Sequence, residues 1–168
     1  MKEFWNNTLD IDGNEWHIIF SNCFNIIRET RLQYFQFKFI HKILPVNQYL
    51  TKLKILDSSL CSFCDNASES LEHLFWSCEF SFKFWNELYA NALKDVVPNI
   101  CFKVIAFGFL EKDLINYNYI IFHAKYFLFW CKCNDKIPSY DQFRKFMKTQ
   151  LSIEENFRLK KVKFMINL

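Results

Sequence analysis

Glycine is scarce in this sequence. Only Gly13 and Gly108 occur among 168 residues, and they lie 95 positions apart. Dinucleotide-binding loops, Walker phosphate loops, kinase glycine loops and nucleophile elbows each need several glycines within a few residues, because the backbone must approach a ligand closely or turn tightly. The sequence therefore excludes all four kinds of site.

Long apolar runs are also absent. A membrane span needs about 18 to 20 apolar residues, and the most apolar window, residues 117–130, carries His123 and Lys125 at its centre. That window predicts a buried helix, and we expect no membrane partner. The start, MKEFWNNTLD, lacks the features of a secretory signal. We therefore expect an intracellular protein, in the nucleus or the cytoplasm, whose seven cysteines are reduced.

Aromatic residues are abundant instead. The chain is 51% hydrophobic, and Phe, Tyr and Trp together account for 20% of it. This content can fill one sizeable core. The aromatic residues exceed what a small core needs, so some of them are candidates for an interface.

The net charge of +3 conceals four segments of alternating sign. Residues 1–25 carry −3, residues 26–56 carry +5, residues 57–124 carry −5 and residues 125–168 carry +6. An anionic partner would have two basic segments on which to dock. If the first basic segment is one helix, its bases Arg28, Arg31, Lys38 and Lys42 share an arc of about 80°. Such a stripe is either a solvated helix face or a row of cations for nucleic-acid phosphates.

Apolar periodicity predicts a mainly α protein. Helical patterns cover residues 14–44, a stretch long enough for two helices, and then 47–53, 78–97 and 113–133. Asn14 and Asn47 are candidate N-caps, and Pro45 ends the first pattern.

The second half of the chain has two further helix signals and one ambiguous stretch. Capping boxes at Ser139 with Gln142 and at Ser152 with Glu155 predict two final helices. Residues 100–110 are rich in β-branched and aromatic side chains, but no second strand pattern is available to pair with them. We expect a loop or a short edge segment there.

One constellation of residues has the spacing of a metal site. Cys61 and Cys64 form C-x2-C, and after eight further residues His73 and Cys78 form H-x4-C. Three thiolates and an imidazole complete a tetrahedron around zinc and leave no position for water, which makes the site structural. We expect one structural zinc ion. The alternative is a chance grouping of four unligated residues.

The spacing of the second pair constrains the backbone. Residues five apart on a continuous α-helix point about 140° away from each other, so His73 and Cys78 cannot share an ion from one helix. We expect a helix over residues 70–76 that ends near Ser77, with Cys78 at the start of the next helix. The expected architecture is a small helical zinc-binding lobe, residues 1–97, packed as one unit with a helical C-terminal lobe, residues 98–168.

The other cysteines and histidines carry weaker signals. Cys131 and Cys133 are two apart on a helix and point in different directions, so we expect two ordinary buried thiols. His41 and His123 lie in apolar helical surroundings and are expected to be core residues. No pair of carboxylates has the arrangement of a two-metal active site.

Several motifs occur in a characteristic order around the metal ligands. They are WHIIF, RLQYFQFKFIHKILPVNQYLTKLKI, CSFC, Glu69-Ser70 and HLFWSC, followed by AFGFL and AKYFLFWCKC. This order resembles the zinc-binding region that follows the polymerase domain in LINE-type (non-LTR) retrotransposon reverse transcriptases. The resemblance implies that Cys61, Cys64, His73 and Cys78 bind zinc. It also implies that Glu69 is the family's acidic residue before the histidine and lies in the first turn of the His73 helix, where its negative charge interacts favourably with the helix dipole.

The resemblance also has functional implications. The polymerase signature of an aromatic residue before paired aspartates is absent, as is an endonuclease domain. We therefore expect no enzyme activity and no small-molecule substrate, but an accessory domain that binds RNA or DNA. The residues expected to neutralise phosphates are Arg28, Arg31, Lys38, Lys42, Arg144, Lys145, Lys148, Arg158, Lys160, Lys161 and Lys163. The alternatives are a module that docks on a polymerase domain and a non-functional transposon remnant.

Overall fold

Helices form most of the structure, a computed structural model that describes the backbone of residues 2–156 and the side chains of residues 2–152. Short π-helical turns at His73–Ser77 and Tyr89–Leu93 and a 3-10 turn at Ile115–Tyr117 accompany the α-helices. The helices are α1 (Lys2–Leu9), α2 (Glu15–Ile26), α3 (Thr30–Ile40), α4 (Asn47–Lys52), α5 (Glu79–Leu88), α6 (Phe102–Phe107), α7 (Asn118–Cys133) and α8 (Tyr140–Asn156). Within the described residues the only β pairing is an isolated antiparallel bridge between Leu60 and Ser68. The mainly α prediction is confirmed.

Helix α7 is the central element. It packs against α2, α3, α6, α8 and the π-helical turn at His73–Ser77, and all residues from 118 to 125 are buried. A helix that is apolar on every side needs neighbours on every side. The predicted buried helix is therefore confirmed over Asn118–Cys133, whereas residues 113–117 form a turn and a 3-10 turn before it. None of the described helices is both long and apolar enough to span a membrane.

The middle of α7 buries a lysine. Lys125 Nζ donates a hydrogen bond to the Ala106 carbonyl (2.8 Å) and lies 4.0 Å from the centre of the Phe39 ring. Gln36 Nε2 donates to the same carbonyl at 2.8 Å. This carbonyl lies near the C-terminal end of α6, where helical carbonyls lack intrahelical partners, so one acceptor joins α3, α6 and α7. Burial lowers the pKa of Lys125 well below its usual value.

Residues 100–110 contain a helix, so the prediction of a loop or edge segment is wrong. Phe102, Ile105 and Ala106 are buried along α6 at helical spacing, and the helix packs against α7 and the π-helical turn at His73–Ser77. Burial on one helical face thus outweighs the strand propensity of the side chains. The helix ends at Gly108, whose φ is 79°.

The C-terminal prediction of two helices is also wrong. Helix α8 is continuous from Tyr140 to Asn156, so Ser152 and Glu155 lie inside it rather than at a new start. Of the two hydrogen bonds expected in the first capping box, the one to the serine side chain is confirmed, because Ser139 Oγ accepts a hydrogen bond from the Gln142 N–H (3.4 Å). Hydroxyl and acidic residues three apart are compatible with a helix interior, so the second box was not specific for a helix start.

The 14–44 pattern divides into α2 and α3, as its length allows, but neither asparagine caps a helix. Asn14 makes no side-chain capping bond, and the Glu15 carboxylate instead accepts from the Asp12 N–H (2.9 Å). Asn47 is the first residue of α4, and its amide donates to the Leu60 carbonyl (2.7 Å). The Asn47 side chain therefore joins α4 to the cysteine-bearing loop.

Residues on both sides of the expected lobe boundary share the core. The Phe35 ring lies 5.2 Å from Tyr126, and the Phe84 ring lies 5.7 Å from Phe127. Edge and tilted contacts at such distances are typical of packed aromatic pairs. The division at residues 97 and 98 stays a prediction.

Candidate metal centre

Four side chains from three structural elements converge on one point. Cys61 and Cys64 lie in the loop after α4, His73 begins the first π-helical turn, and Cys78 immediately precedes α5. Their ligand atoms all lie within 4.8 Å of one another. The sequence motif thus corresponds to a cluster in space.

The cysteine-bearing loop is a short hairpin held by its own backbone. The Cys61 N–H donates to the Ala67 carbonyl (2.9 Å), and the Asp65 N–H donates back to the Cys61 carbonyl (2.9 Å). The Phe63 N–H points at Cys61 Sγ (3.4 Å). Asp65 takes the left-handed conformation, with φ at 50°, that glycine usually supplies in such a turn. Backbone amides directed at sulfur stabilise thiolates, so the hairpin is suited to metal-bound cysteines.

The π-helical turn solves the geometric problem of the H-x4-C spacing. The Cys78 N–H donates to the His73 carbonyl (2.8 Å), an i to i+5 bond that closes a wider turn than an α-helix has. Cys78 then has extended backbone, with φ at −65° and ψ at 133°. The expected helix end near Ser77 and the position of Cys78 before the next helix are confirmed. The π-helical turn itself was not predicted.

Two of the distances within the cluster are close to those of tetrahedral zinc. Cys61 Sγ and Cys78 Sγ are 3.9 Å apart, and Cys64 Sγ is 3.3 Å from His73 Nε2. Bonds of about 2.3 Å to sulfur and about 2.0 Å to nitrogen place tetrahedral ligands about 3.8 and 3.5 Å apart, respectively. The cluster can hold a single zinc ion through four protein ligands, and this donor set leaves none of the tetrahedral positions to a substrate.

The Cys61 thiol donates a hydrogen bond to Cys78 Sγ (3.9 Å). The hydrogen bond that Cys61 donates to Cys78 raises the pKa of Cys61 and lowers the pKa of Cys78. Zinc binds thiolates, so its binding must displace this proton.

Glu69 connects the metal hairpin to two helices. Its Oε2 accepts hydrogen bonds from the Ser62 N–H (2.8 Å) and the Ser62 hydroxyl (2.7 Å), and its Oε1 accepts from the Asn47 N–H (2.8 Å). Lys132 Nζ, on α7, is 2.8 Å from the same Oε1, and the Glu69 side chain is fully buried.

The predicted place of Glu69 in a helical first turn is wrong, because the helix begins only at Leu71. Its carboxylate serves the hairpin and α7 instead of a helix dipole. No local spacing signals this role, since Lys132 is 63 positions away in the sequence.

A comparison with protein families identifies the chain. The family described as zinc-binding in reverse transcriptase matches residues 1–85, a segment that contains all four ligands. The chain belongs to this family. Comparisons with curated proteins and with solved structures find no match.

The first basic segment of this reverse-transcriptase zinc-binding domain does not form the expected stripe on one helix. Only Arg31 and Lys38 lie on α3; Arg28 lies in the break before it, and Lys42 follows its end with φ at 59°. The predicted arc of about 80° assumed that Arg28, Arg31, Lys38 and Lys42 lie on one continuous helix, and that assumption is wrong. The role of these residues in nucleic-acid binding stays a prediction.

Lys42 faces inward toward an aromatic cleft. Its Nζ lies 2.9 Å from the centre of the Phe4 ring. With Lys52, Trp5 and Phe102 it lines a cleft of about 270 Å³ between α1, α4 and α6. The pKa of Lys42 is lowered mainly by desolvation and to a smaller extent by repulsion from Lys52. Of the four predicted bases, Lys42 is therefore the one least available to a phosphate.

The second predicted basic group is partly described. Lys145 and Lys148 are exposed on α8, and Arg144 lies 3.8 Å from the Asp141 carboxylate. The remaining predicted bases, Arg158, Lys160, Lys161 and Lys163, lie outside the described residues.

The other candidate cysteines and histidines lie outside the metal cluster. Burial raises the pKa of the Cys131 thiol to about 12, which leaves it protonated and unreactive. Cys133 is exposed rather than buried, because residues two apart on a helix face different ways. His123 is buried, as expected, and its Nδ1 lies 2.8 Å from the Tyr119 carbonyl. His41 is only half-buried, at the end of α3.

Proposed function

We propose that this chain is a non-catalytic accessory domain of a LINE-type reverse transcriptase, acting inside the cell, that binds RNA or DNA through two basic segments. Family membership and the closed set of zinc ligands support an accessory role. Zinc in this site organises the hairpin and the start of α5, and the basic side chains outside it contact the nucleic acid.

The observation that carries the proposal is the connection between the two basic segments. The Arg31 guanidinium lies 5.2 Å from the centre of the Tyr126 ring, and the Tyr126 ring lies 6.4 Å from the Phe146 ring of α8. Phe146 is flanked in sequence by Lys145 and close to Lys148. Arg31 and α8, more than 100 residues apart in the sequence, are thus connected through Tyr126. Clustered bases on one face are what a polyanion recognises.

Equilibrium binding at several salt concentrations tests the proposal. Single- and double-stranded RNA and DNA are titrated with the zinc-loaded protein, starting at about 50 mM salt, and the logarithm of affinity is expected to fall linearly with the logarithm of salt. Lys145→Gln with Lys148→Gln should weaken binding and flatten this slope by about 0.7 to 0.9 for each phosphate that the variant no longer neutralises. Lys83→Gln, an exposed lysine on α5, is the matched control. Absence of binding to all four nucleic acids would refute the proposal.

A second candidate function is docking on a polymerase domain. Four aliphatic residues between the end of α4 and the metal hairpin are exposed: Leu53, Ile55, Leu56 and Leu60. Contiguous exposed apolar surface is typical of protein interfaces. Replacement of Ile55 by Ser would then abolish association with the polymerase domain and leave nucleic-acid binding unchanged. The lysine substitutions on α8 would instead weaken nucleic-acid binding and leave association with the polymerase domain unchanged.

A further inference from the structure

Three aromatic rings form a ladder along the outer face of α3. The rings of Tyr34 and Phe37 are parallel within 4°, with centres 6.4 Å apart, and the Phe37 ring lies 4.2 Å from His41. Tyr34 is 58% exposed and Phe37 is 42% exposed. We call these three residues the aromatic ladder.

The ladder lies opposite the face that α3 uses to build the core. Leu32, Phe35 and Phe39 are buried on the inner side of the helix. At 100° per residue, Tyr34, Phe37 and His41 fall within an arc of about 60° centred on the opposite side. Large aromatic side chains at such positions do not pack in the core, and they expose apolar surface to water. Their presence therefore requires another explanation.

Cations border the ladder on its edge. Lys38 Nζ lies 4.5 Å from the centre of the Tyr34 ring. Arg31, one turn toward the helix start, is 60% exposed and pairs with Glu29 at 2.7 Å. Lys38 and Arg31 follow Tyr34 around the helix at about 40° and 60°, and the Lys38 amine lies over the edge of the ladder at the Tyr34 ring. The segment around them, residues 26–56, carries a net charge of +5.

We propose that the aromatic ladder stacks the unpaired bases of a single-stranded nucleic acid while Lys38 and Arg31 contact its phosphates. This inference rests on the proposed function and specifies its substrate: a strand whose bases are free. Aromatic rings beside a basic groove bind single strands because every base has a face that can stack. In a duplex the base faces are covered by neighbouring pairs, and a helix side has access only to edges and backbone.

The dimensions of the ladder match a short strand. Seven residues of helix separate Tyr34 from His41, which corresponds to about 10 Å along the axis. Stacked nucleotides rise about 3.4 Å each along one strand. The ladder therefore accommodates about three nucleotides.

Two probes of equal charge separate stacking from phosphate contact. One is a fluorescein-labelled 12-nucleotide single-stranded RNA; the other is an abasic strand of the same length, which keeps the phosphates and lacks the bases. The variants are Tyr34→Leu, Phe37→Leu and Lys38→Gln. The control is Phe82→Leu, because Phe82 is 46% exposed on α5 and its ring contacts Trp76 rather than the ladder. Zinc content and thermal unfolding establish that each variant is folded.

The two aromatic substitutions should each weaken binding of the 12-nucleotide RNA about 5- to 150-fold, the range for loss of one stacked base. They should leave the salt dependence unchanged and have no effect on the abasic strand or on duplex RNA. Lys38→Gln should instead flatten the salt dependence by about 0.7 with both strands. Phe82→Leu should bind both strands like the natural protein.

Other results overturn the inference in distinguishable ways. If the natural protein binds RNA with the expected salt dependence and the Tyr34 and Phe37 variants bind it equally well, the stacking role is wrong and the proposed function stands. Equal affinity of the natural protein for the abasic and the normal strand has the same meaning. If the natural protein binds none of the probes, the proposed function fails and the inference fails with it.

Discussion

Gly108 ends α6 at a point where no other residue fits. Its φ of 79° is unfavourable for residues with a Cβ, and a Cβ there would lie 2.5 Å from Asn118 Cγ. Asn118 cannot move away freely, because its side chain is buried and hydrogen-bonds both the N–H and the carbonyl of Phe109.

The two glycines therefore provide a matched pair of substitutions. Gly108→Ala is expected to lower the free energy of unfolding by about 2 kcal/mol or more, from backbone strain and the clash with Asn118. Gly13→Ala should change it by less than about 1 kcal/mol, since nothing lies within 4 Å of the added carbon. Urea unfolding of the zinc-loaded proteins measures both values. Equal effects at the two positions would contradict this interpretation.

His123 gives the fold a specific dependence on pH. Burial lowers its pKa from 6.5 to about 4 in the folded chain. Between these values the unfolded chain binds a proton that the folded chain does not, so folded-state stability is lost as pH falls below 6.5. The loss is complete near pH 4 and amounts to about 3 kcal/mol at about 1.4 kcal/mol per pKa unit.

Substitution of His123 by Phe should remove this dependence. The quantity of interest is the free energy of unfolding of the His123→Phe variant minus that of the natural protein. We expect this difference to be about 2 kcal/mol more favourable to the variant at pH 5 than at pH 7.5. Protonation of the zinc ligands affects both proteins alike and cancels in the difference. Urea unfolding at the two pH values measures it, and a difference in stability that does not change with pH would disprove the role of His123.

At the scale of elements, we expect zinc to fix the positions of the hairpin and the π-helical turn relative to each other. Three of the four ligands are cysteines, and none of the three forms a disulfide. Structural zinc sites provide about 10 to 16 kcal/mol of apparent binding free energy. That amount is comparable to the entire stability of a typical domain.

Loss of a single ligand should therefore unfold the protein. Cys61→Ser is expected to abolish binding of one zinc ion per chain, measured by atomic absorption, and to remove the cooperative thermal transition. Cys133→Ser changes an exposed cysteine outside the cluster and should retain both. A Cys61→Ser protein that unfolds cooperatively at the natural temperature would show that the metal has no structural role.

Sequence patterns predicted most elements well where the pattern itself was local. The buried helix α7, the helix after Cys78 and the four zinc ligands follow from spacing over a few residues. Helix α6 was missed because its six residues gain helical structure from contacts with α7, which no local pattern encodes.

At the scale of the whole molecule, one buried ion pair joins the metal hairpin to the central helix. Glu69 and Lys132 lie 63 positions apart, and their side chains are 0% and 9% exposed. The sequence resemblance drew attention to Glu69, but its partner could not be found from spacing. Remote contacts between charged residues require the fold to be known.

Removal of one partner should be costly because the other charge remains buried. Glu69→Gln is expected to lower the free energy of unfolding by about 3 to 5 kcal/mol. The double variant Glu69→Gln with Lys132→Met should lose less than the sum of the two single variants, since it leaves no unpaired charge. The half-exposed pair between Glu15 and Lys103 is the control, and Glu15→Gln should cost less than about 1 kcal/mol. Additive effects at Glu69 and Lys132 would disprove the coupling.

The π-helical turn between His73 and Cys78 also bears on how such sites can vary in length. An i to i+5 turn holds one residue more than an α-helical turn. Deletion of one residue from 74–77 would convert the spacing to H-x3-C, and residues four apart are neighbours on the same side of an ordinary α-helix. The H-x4-C spacing with a π-helical turn and the H-x3-C spacing with an α-helical turn can thus place the same pair of ligands on one side of the backbone. A change in the type of turn can therefore absorb an insertion or deletion at this point, and a search for related sites should allow both lengths.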